Sequence, residues 1–251
     1  MSIILWGVLP YIVALTLVAG TVWRYRYDQF GWTTRSSQLY ESKLLRIASP
    51  MFHYGLFVVL MGHLMGLLIP KAWTDLVVTQ EMYHLVALGA GTLAGIATLV
   101  GIGLLIYRRR TTGPVFLATT RNDKLMYVVL VSAIVLGMIA TLTGSHTPSG
   151  AEHNYRETVS VWFRSLIVFQ PDVNAMAAST WQFQIHILVG LALFALVPFS
   201  RLVHAFTAPF HYLFRPYIVY RSRDALPPTP SRGRVRGWDP IGTPDRDKGH
   251  R

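Results

Sequence analysis

Residues 50–69 read PMFHYGLFVVLMGHLMGLLI, a run in which the only ionisable side chains besides one tyrosine are two histidines. A helix that crosses the hydrocarbon core of a bilayer needs about 20 mostly apolar residues. The run therefore predicts a membrane-spanning helix with His53 and His63 inside it. An ionisable side chain at such a depth is costly and usually functional.

Four further blocks have the same apolar character: Ile3–Trp23, His84–Ile106, Leu125–Thr143 and Gln182–His204. The chain is 52% hydrophobic and 14% charged, with a mean hydropathy of +0.37, which is rare for a soluble domain. No block contains Asp or Glu, and none alternates as the strands of a membrane β-barrel do. We expect an all-α integral membrane protein with five transmembrane helices, the first of them retained rather than cleaved as a signal peptide.

The 23 Lys and Arg residues predict the orientation of these helices. Twenty of them fall in residues 24–49, 107–124 and the region from Arg201 onward, and three fall in the alternate set of connecting segments. The positive-inside rule then places the N-terminus outside and the C-terminus in the cytoplasm. Nucleic-acid binding is disfavoured as the reason for the basic charge, because the basic residues lie at the ends of predicted helices.

The chain divides into two predicted regions. Residues 1–220 are expected to form the five-helix domain, and 221–251 a basic, Pro- and Arg-rich cytoplasmic tail that is disordered or bound to a partner. The sequence has no Cys, so this chain supplies neither a disulfide nor the thiolates of an iron–sulfur cluster. That absence removes most ways in which this chain could do chemistry on its own.

Four histidines lie within the second and fifth blocks, and their depths predict how they pair. Counted at 1.5 Å per residue, His53 and His204 lie toward the inside, whereas His63 and His186 lie toward the outside. Each of these pairs agrees in depth to about 6 Å, whereas His63 with His204 would differ by about 21 Å. His53 and His63 are ten residues apart, and His186 and His204 are eighteen apart. The mean of these two spacings puts the two pairs about 21 Å apart along the helices.

A pair of neutral imidazoles at each depth indicates the kind of group that is bound. Structural zinc requires four ligands, and each level offers two. A haem supplies four nitrogens of its own and needs two axial ligands, which facing histidines provide. We therefore expect two haem b groups whose iron has no open site, so that each carries electrons and binds no substrate.

Four glycines and one arginine near the histidines are consistent with a large flat ligand. Gly55, Gly62, Gly66 and Gly190 would let a macrocycle approach the helix backbone, although close helix–helix packing explains Gly62 and Gly66 equally well. Arg201 precedes His204 by one turn, where it is a candidate partner for a haem propionate. An ordinary arginine at the cytoplasmic interface is the alternative interpretation.

Several motifs resemble the gamma subunit of respiratory nitrate reductase over residues 5 to about 220. The runs that carry the resemblance are Trp23-Arg24-Tyr25, Ser36-Ser37-Gln38, Phe52-His53-Tyr54-Gly55, Gly62-His63, Ile185-His186 and Val197-Pro198-Phe199-Ser200-Arg201-Leu202-Val203-His204. The last run is the most specific of them.

The resemblance implies a quinol-oxidising, di-haem membrane anchor in the cell membrane of a prokaryote. It implies that electrons pass from menaquinol or ubiquinol through two haem b groups to an iron–sulfur beta subunit and a molybdenum alpha subunit on the cytoplasmic side. His53 and His204 would ligate the inner haem, and His63 and His186 the outer one. This assignment agrees with the pairing by depth.

The quinol site is predicted near Tyr83 and His84, at the outside end of the third helix. Some relatives carry a lysine in this region, and here the sequence reads Glu81-Met82-Tyr83-His84. Histidine can accept a quinol proton near neutral pH. The alternatives are that both are ordinary interface residues or that the site lies in the outer loop around His146 and His153.

Two other functions remain compatible with the residues alone. The nearer one is a cytochrome b anchor of a different quinone-linked reductase. The farther one is a haem-free transporter or structural anchor, although the absence of Asp and Glu from the five blocks disfavours a proton-coupled transporter.

Overall fold

A computed structural model describes residues 1–28, 37–38, 40–144 and 153–206 of the chain. The regular structure of these residues is helical throughout, without a strand. The predicted tail 221–251 and His146 lie outside the described residues. The domain division at 220 stays a prediction.

Five helices are long and apolar enough to cross a membrane, which confirms the predicted number. They are α1 (Leu9–Tyr27, preceded by a π-helical segment Ile3–Val8), α2 (Lys43–Leu68), α4 (Gln80–Thr111), α6 (Arg121–Thr143) and α9 (Trp181–Leu196). Shorter helices lie between them: α3 (Lys71–Thr74), α5 (Gly113–Leu117), α7 (Val159–Ile167) and α8 (Val173–Ala177). Three 3₁₀ segments complete the order: Tyr155–Glu157, Val197–Phe199 and Arg201–Phe206.

The fifth helix is shorter than the predicted block Gln182–His204, so that boundary was wrong. The α-helix ends at Leu196, and Ser200 is extended with φ −123° and ψ −178°. Pro198 has no N–H for a helical hydrogen bond, and proline disfavours the α conformation in the residue before it. His204 therefore lies on a separate 3₁₀ segment and not on one helical face with His186.

This break changes the expected separation of the two histidine levels. The value of about 21 Å is the mean of the histidine spacings along α2 and along a fifth helix that is assumed to be unbroken. Helix α2 is continuous through both of its histidines. Ten residues between His53 and His63 correspond to about 15 Å along the helix axis.

Helices α2 and α4 pack closely through glycines. A Cβ atom on Gly55 would lie 2.6 Å from Oγ1 of Thr98, and one on Gly101 would lie 2.6 Å from the backbone nitrogen of Phe52. No side chain fits at such distances, so these two glycines set the approach of the helices.

One end of the bundle, here called the basic end, is fixed by the contacts of three arginines. Arg108 at the end of α4 donates to Glu41 before α2, with Nε and Oε2 2.6 Å apart. Arg24 at the end of α1 donates to the carbonyl of Pro198 at 2.6 Å. Asp123 at the start of α6 accepts from Arg201 at 2.5 Å. These contacts bring the described parts of the three basic segments to the same end of the bundle.

The opposite end is closed by α7. Pro10 cannot donate to the carbonyl of Trp6 four residues earlier, and the indole Nε1 of Trp162 donates to that carbonyl at 2.8 Å. Ser160 donates to the carbonyl of Gly66 near the end of α2 at 2.7 Å. Helix α7 thus joins the start of the chain to the end of α2.

Candidate functional site

The four histidines of the second and fifth blocks form two facing pairs. The rings of His53 and His204, here the inner pair, have centroids 6.2 Å apart and planes 73° apart. Those of His63 and His186, the outer pair, have centroids 5.9 Å apart and planes 43° apart. The structure therefore brings together the residues whose depths predict pairing. Ligation of iron by them stays a prediction.

Each of the four imidazoles has its Nδ1 atom at a backbone carbonyl. The accepting carbonyls are those of Ser49 for His53 (2.8 Å), Val59 for His63 (2.8 Å), Ala133 for His186 (3.1 Å) and Arg201 for His204 (2.5 Å). A carbonyl only accepts, so Nδ1 carries the proton in each ring and Nε2 carries the lone pair. This is the tautomer that a metal-binding histidine uses, with its second nitrogen held by a backbone acceptor.

The separation within each pair fits two ligands on one metal ion. An imidazole nitrogen binds a metal at about 2.0 Å, and the ring centre lies about 1.2 Å behind that nitrogen. Two imidazoles on opposite faces of one iron therefore have centres about 6.4 Å apart. The observed distances of 6.2 Å and 5.9 Å are close to that value.

The helices that carry the pairs leave space between them. Helix α2 packs along α4 and touches α7, whereas α9 packs along α6 and α1. Within the described part of the chain, α2 and α9 are not among the closely packed helix pairs. A Cβ atom on Gly62 or Gly190 would meet no described atom within 4 Å. These two glycines, unlike Gly55, are free to border a flat macrocycle.

Other metal-binding arrangements find no support in the described residues. No group of three or more His, Cys, Asp or Glu side chains comes together in residues 1–28, 37–38, 40–144 and 153–206. Two ligands at each level suit a group that brings its own equatorial nitrogens, as haem does.

Helix α6 supplies two contacts to His186 that sequence reasoning missed. Ala133 provides the carbonyl that accepts from Nδ1. A Cβ atom on Gly137, one turn later, would lie 2.9 Å from Cε1 of the ring. Gly137 therefore makes the room that the imidazole occupies. In the sequence it is one small residue within an apolar run, and nothing distinguishes it there.

Arg201 is held by protein groups at the basic end. Its Nε donates to Asp123 at 2.5 Å and its Nη2 donates to the carbonyl of Ala118 at 3.1 Å. Its own carbonyl accepts from His204. Arg201 thus positions His204, and its predicted contact with a propionate is still a prediction.

The two residues predicted at the quinol site differ in their surroundings. His84 is exposed on α4, whereas Tyr83 is half-buried. The hydroxyls of Tyr83 and Tyr155 are 3.3 Å apart, and the guanidinium carbon of Arg156 lies 4.0 Å over the ring of Tyr83. Tyr155 and Arg156 were missed by sequence reasoning. They belong to the predicted outer loop and not to a predicted helix, so counting residues along a helix assigns them no depth in the membrane.

His153 lies in the same region. Its Nε2 is 3.2 Å from the hydroxyl of Thr158, and its ring centroid is 5.8 Å from that of Phe183. Burial lowers the pKa of His153, and the nearby carboxylate of Glu157 opposes that shift. The imidazole is therefore neutral at neutral pH.

Comparisons with known proteins show the family of this chain. A family model described as nitrate reductase gamma subunit matches residues 2–223. The nitrate reductase gamma chain of Bacillus subtilis is 42% identical over 88% of this chain and 98% of its own length. The respiratory nitrate reductase 2 gamma chain of Escherichia coli is 31% identical over 89% of this chain and 98% of its own. The nitrate reductase-like protein NarX of Mycobacterium tuberculosis is 60% identical over 95% of this chain, which spans 36% of that protein.

Proposed function

This chain belongs to the nitrate reductase gamma subunit family, and we propose that it is the quinol-oxidising, electron-transferring membrane subunit of a respiratory nitrate reductase. In this role it takes electrons from membrane quinol and delivers them through two haem b groups to an iron–sulfur beta subunit. A molybdenum alpha subunit then reduces nitrate. The chain resides in the cell membrane of a prokaryote.

The observation that carries the proposal is the spacing of the two histidine pairs, together with the backbone carbonyl at each Nδ1. Nε2 of His53 and His204 would hold the inner haem, and Nε2 of His63 and His186 the outer one. A haem held in this way would supply reversible one-electron transfer. The carbonyls at Nδ1 keep each ring oriented and raise the basicity of the ligating nitrogen.

The basic end of the bundle faces the cytoplasm in this proposal, and the partner subunits dock there. Arg24, Arg108 and Arg201 lie at that end with the segments rich in Lys and Arg. The positive-inside rule places such segments in the cytoplasm. The inner pair is the nearer of the two to that end, because Arg201 contacts His204 directly. Electrons then leave on the side where the clusters of a partner are reachable.

Quinol is oxidised at the opposite end, beside the outer pair. Tyr83 lies there in a partly buried cluster, whereas the exposed His84 has no described contact with that cluster. Tyr83 and His84 both stay predicted quinol contacts, Tyr83 within this cluster and His84 on the exposed surface of α4. Protons released at this end leave to the outside while electrons move inward, so charge is separated across the membrane.

Isolation of the chain from its native membrane tests the proposal. An affinity tag on the N-terminus should bring down two larger subunits, with molybdenum and non-haem iron in the purified complex. Reduction of the complex with menadiol should produce b-type absorption that nitrate then bleaches. Partners without molybdenum, or haem absorption that nitrate leaves unchanged, would show that the chain serves a different reductase.

A further inference from the structure

A cluster of polar side chains lies directly beyond the outer histidine pair. It consists of Tyr83, Tyr155 and Arg156, here called the outer polar cluster. A Cβ atom on Gly66 would lie 2.5 Å from the hydroxyl of Tyr155. Gly66 follows His63 by three residues, so Tyr155 lies about one helical turn, or roughly 5 Å, beyond the histidine.

The second helix of the outer pair reaches the same cluster. The rings of Tyr155 and Phe183 have centroids 5.7 Å apart and planes 32° apart. Phe183 precedes His186 by three residues, which is again one helical turn. Tyr155 therefore lies between α2 and α9, on the far side of the outer pair from the basic end.

Arg156 is buried without acceptors for all of its donors. Its side chain is 1% exposed, and Nη2 donates to the hydroxyl of Thr74. Nη1 is 3.9 Å from Oδ1 of Asp75, beyond hydrogen-bond distance. Nε and Nη1 have no hydrogen-bond acceptor among the described residues. Burying a cation whose N–H groups lack acceptors costs free energy, and a ligand that accepts hydrogen bonds would offset that cost.

Arg108 at the basic end provides a comparison within the same chain. Its side chain is 2% exposed, nearly as buried as that of Arg156. Its donors reach the side chain and carbonyl of Ser37 and those of Glu41. The fold can therefore satisfy a buried arginine fully, and at Arg156 the described residues do not.

The hydroxyls of Tyr83 and Tyr155 add a donor and an acceptor to the cluster. One hydroxyl donates to the other across 3.3 Å, which leaves the O–H of the accepting hydroxyl and lone pairs on both oxygens available to a ligand. Burial raises the pKa of Tyr155, so its hydroxyl keeps its proton. The rings of Tyr83, Tyr155 and Phe183 offer apolar faces to a flat aromatic ligand.

We propose that Arg156, with Tyr83 and Tyr155, binds the head group of quinol beside the outer histidine pair. The guanidinium donates to one quinol oxygen, and a tyrosine hydroxyl contacts the ring substituents. This inference rests on the proposed function and names residues for its substrate site. Arg156 supplies the positive charge that binds this quinol oxygen as the oxygen becomes negatively charged.

Oxidation of one quinol at this site releases two protons and two electrons. Two O–H bonds of quinol break, and two protons leave to water at the opposite end of the bundle. Two electrons leave the quinol one at a time, and a haem held by His63 and His186 would accept them; quinone remains. Arg156 stays protonated throughout, since a guanidinium does not release its proton in proteins. Its positive charge favours loss of the first quinol proton, because it stabilises the resulting oxyanion.

The test compares variants of the haem-loaded complex with menadiol as the probe. Arg156→Gln should raise the KM for menadiol roughly tenfold or more, as expected for loss of a charge-assisted hydrogen bond. The spectra and midpoint potentials of both haems should not change. Arg164→Gln is the matched control, since Arg164 lies at the same end and donates to the carbonyl of Leu67 instead. It should retain the wild-type KM.

Two further variants keep the proposal testable if Arg156→Gln fails to assemble. Arg156→Lys retains the charge and Tyr155→Phe removes only a hydroxyl, and each should raise KM by a smaller factor. An unchanged KM in every assembled variant would overturn the proposal. A shifted potential of the outer haem with an unchanged KM would overturn it too, because Arg156 would then hold a haem propionate. Wild-type complex that leaves menadiol unoxidised would instead refute the proposed function itself.

Discussion

His63 and His186 face each other with ring centroids 5.9 Å apart, although the helices that carry them are not packed together. The same arrangement recurs for His53 and His204 at 6.2 Å. The haem assignment follows from these two pairs, because their ring spacing fits two imidazoles on one metal ion.

Single histidine substitutions should separate the two haems. His63→Ala and His186→Ala should each remove the same component from a redox titration monitored by absorbance, because each takes one axial ligand from the outer site. His53→Ala and His204→Ala should each remove the other component. The exposed His84 provides the control, and His84→Ala should keep both components. Loss of one common component by His63→Ala and His204→Ala would refute the pairing.

Gly137→Val should disturb the outer haem selectively. The added atoms would meet the ring of His186, because a Cβ atom alone comes within 2.9 Å of Cε1. Overpacking of this kind costs about 1–3 kcal/mol. We expect the outer component to be lost or shifted in potential, with the inner one intact. Gly103→Val is the control, since a Cβ atom there meets no described atom within 4 Å. Equal effects of the two variants on the outer haem would remove Gly137 from the site.

The sequence was sufficient for the number of helices and for the histidine pairs. Apolar length predicts a spanning helix directly, because a bilayer has a fixed thickness. The rise per residue of a helix converts a position in the sequence into a depth in the membrane. The predicted pairs are found even though the predicted end of the fifth helix was wrong. The break at Pro198 and Ser200 moved His204 off the helix without removing it from the level of His53.

The rest of the site depends on tertiary packing that spacing does not encode. Gly137 matters because α6 lies against α9, and Tyr155 and Arg156 matter because their 3₁₀ segment lies beside Gly66 and Tyr83. Glycine, tyrosine and arginine occur throughout this chain. Only the fold distinguishes these three residues from the others of their kind.

Asp123→Asn should weaken the inner haem. Asp123 pairs with Arg201, whose carbonyl orients His204, so loss of the carboxylate loosens the segment that carries the ligand. We expect about 1–3 kcal/mol of destabilisation, less than for a fully buried pair because 24% of the Arg201 side chain is exposed. The inner component should titrate at reduced amplitude or altered potential. Glu157→Gln, at the opposite end, should not change it. An unaltered inner component in Asp123→Asn would show that the ion pair does not position His204.

Labelling of single cysteines should establish the orientation, since the chain has none of its own. Val77 at the opposite end and Leu117 at the basic end are 85% and 84% exposed. In intact spheroplasts, a membrane-impermeant maleimide should label Val77→Cys and leave Leu117→Cys unmodified until the membrane is lysed. The reverse pattern would invert the predicted topology and place the quinol site on the cytoplasmic side.

The haem content of the purified chain tests whether the two histidine pairs hold two haems. A pyridine haemochrome assay, normalised to protein by quantitative amino-acid analysis, should give two haem b per chain. The oxidised and reduced spectra should be those of low-spin, six-coordinate iron, because two imidazoles fill the axial positions at each site. One haem per chain, or none, would contradict the assignment of His53 with His204 and His63 with His186 as two haem sites.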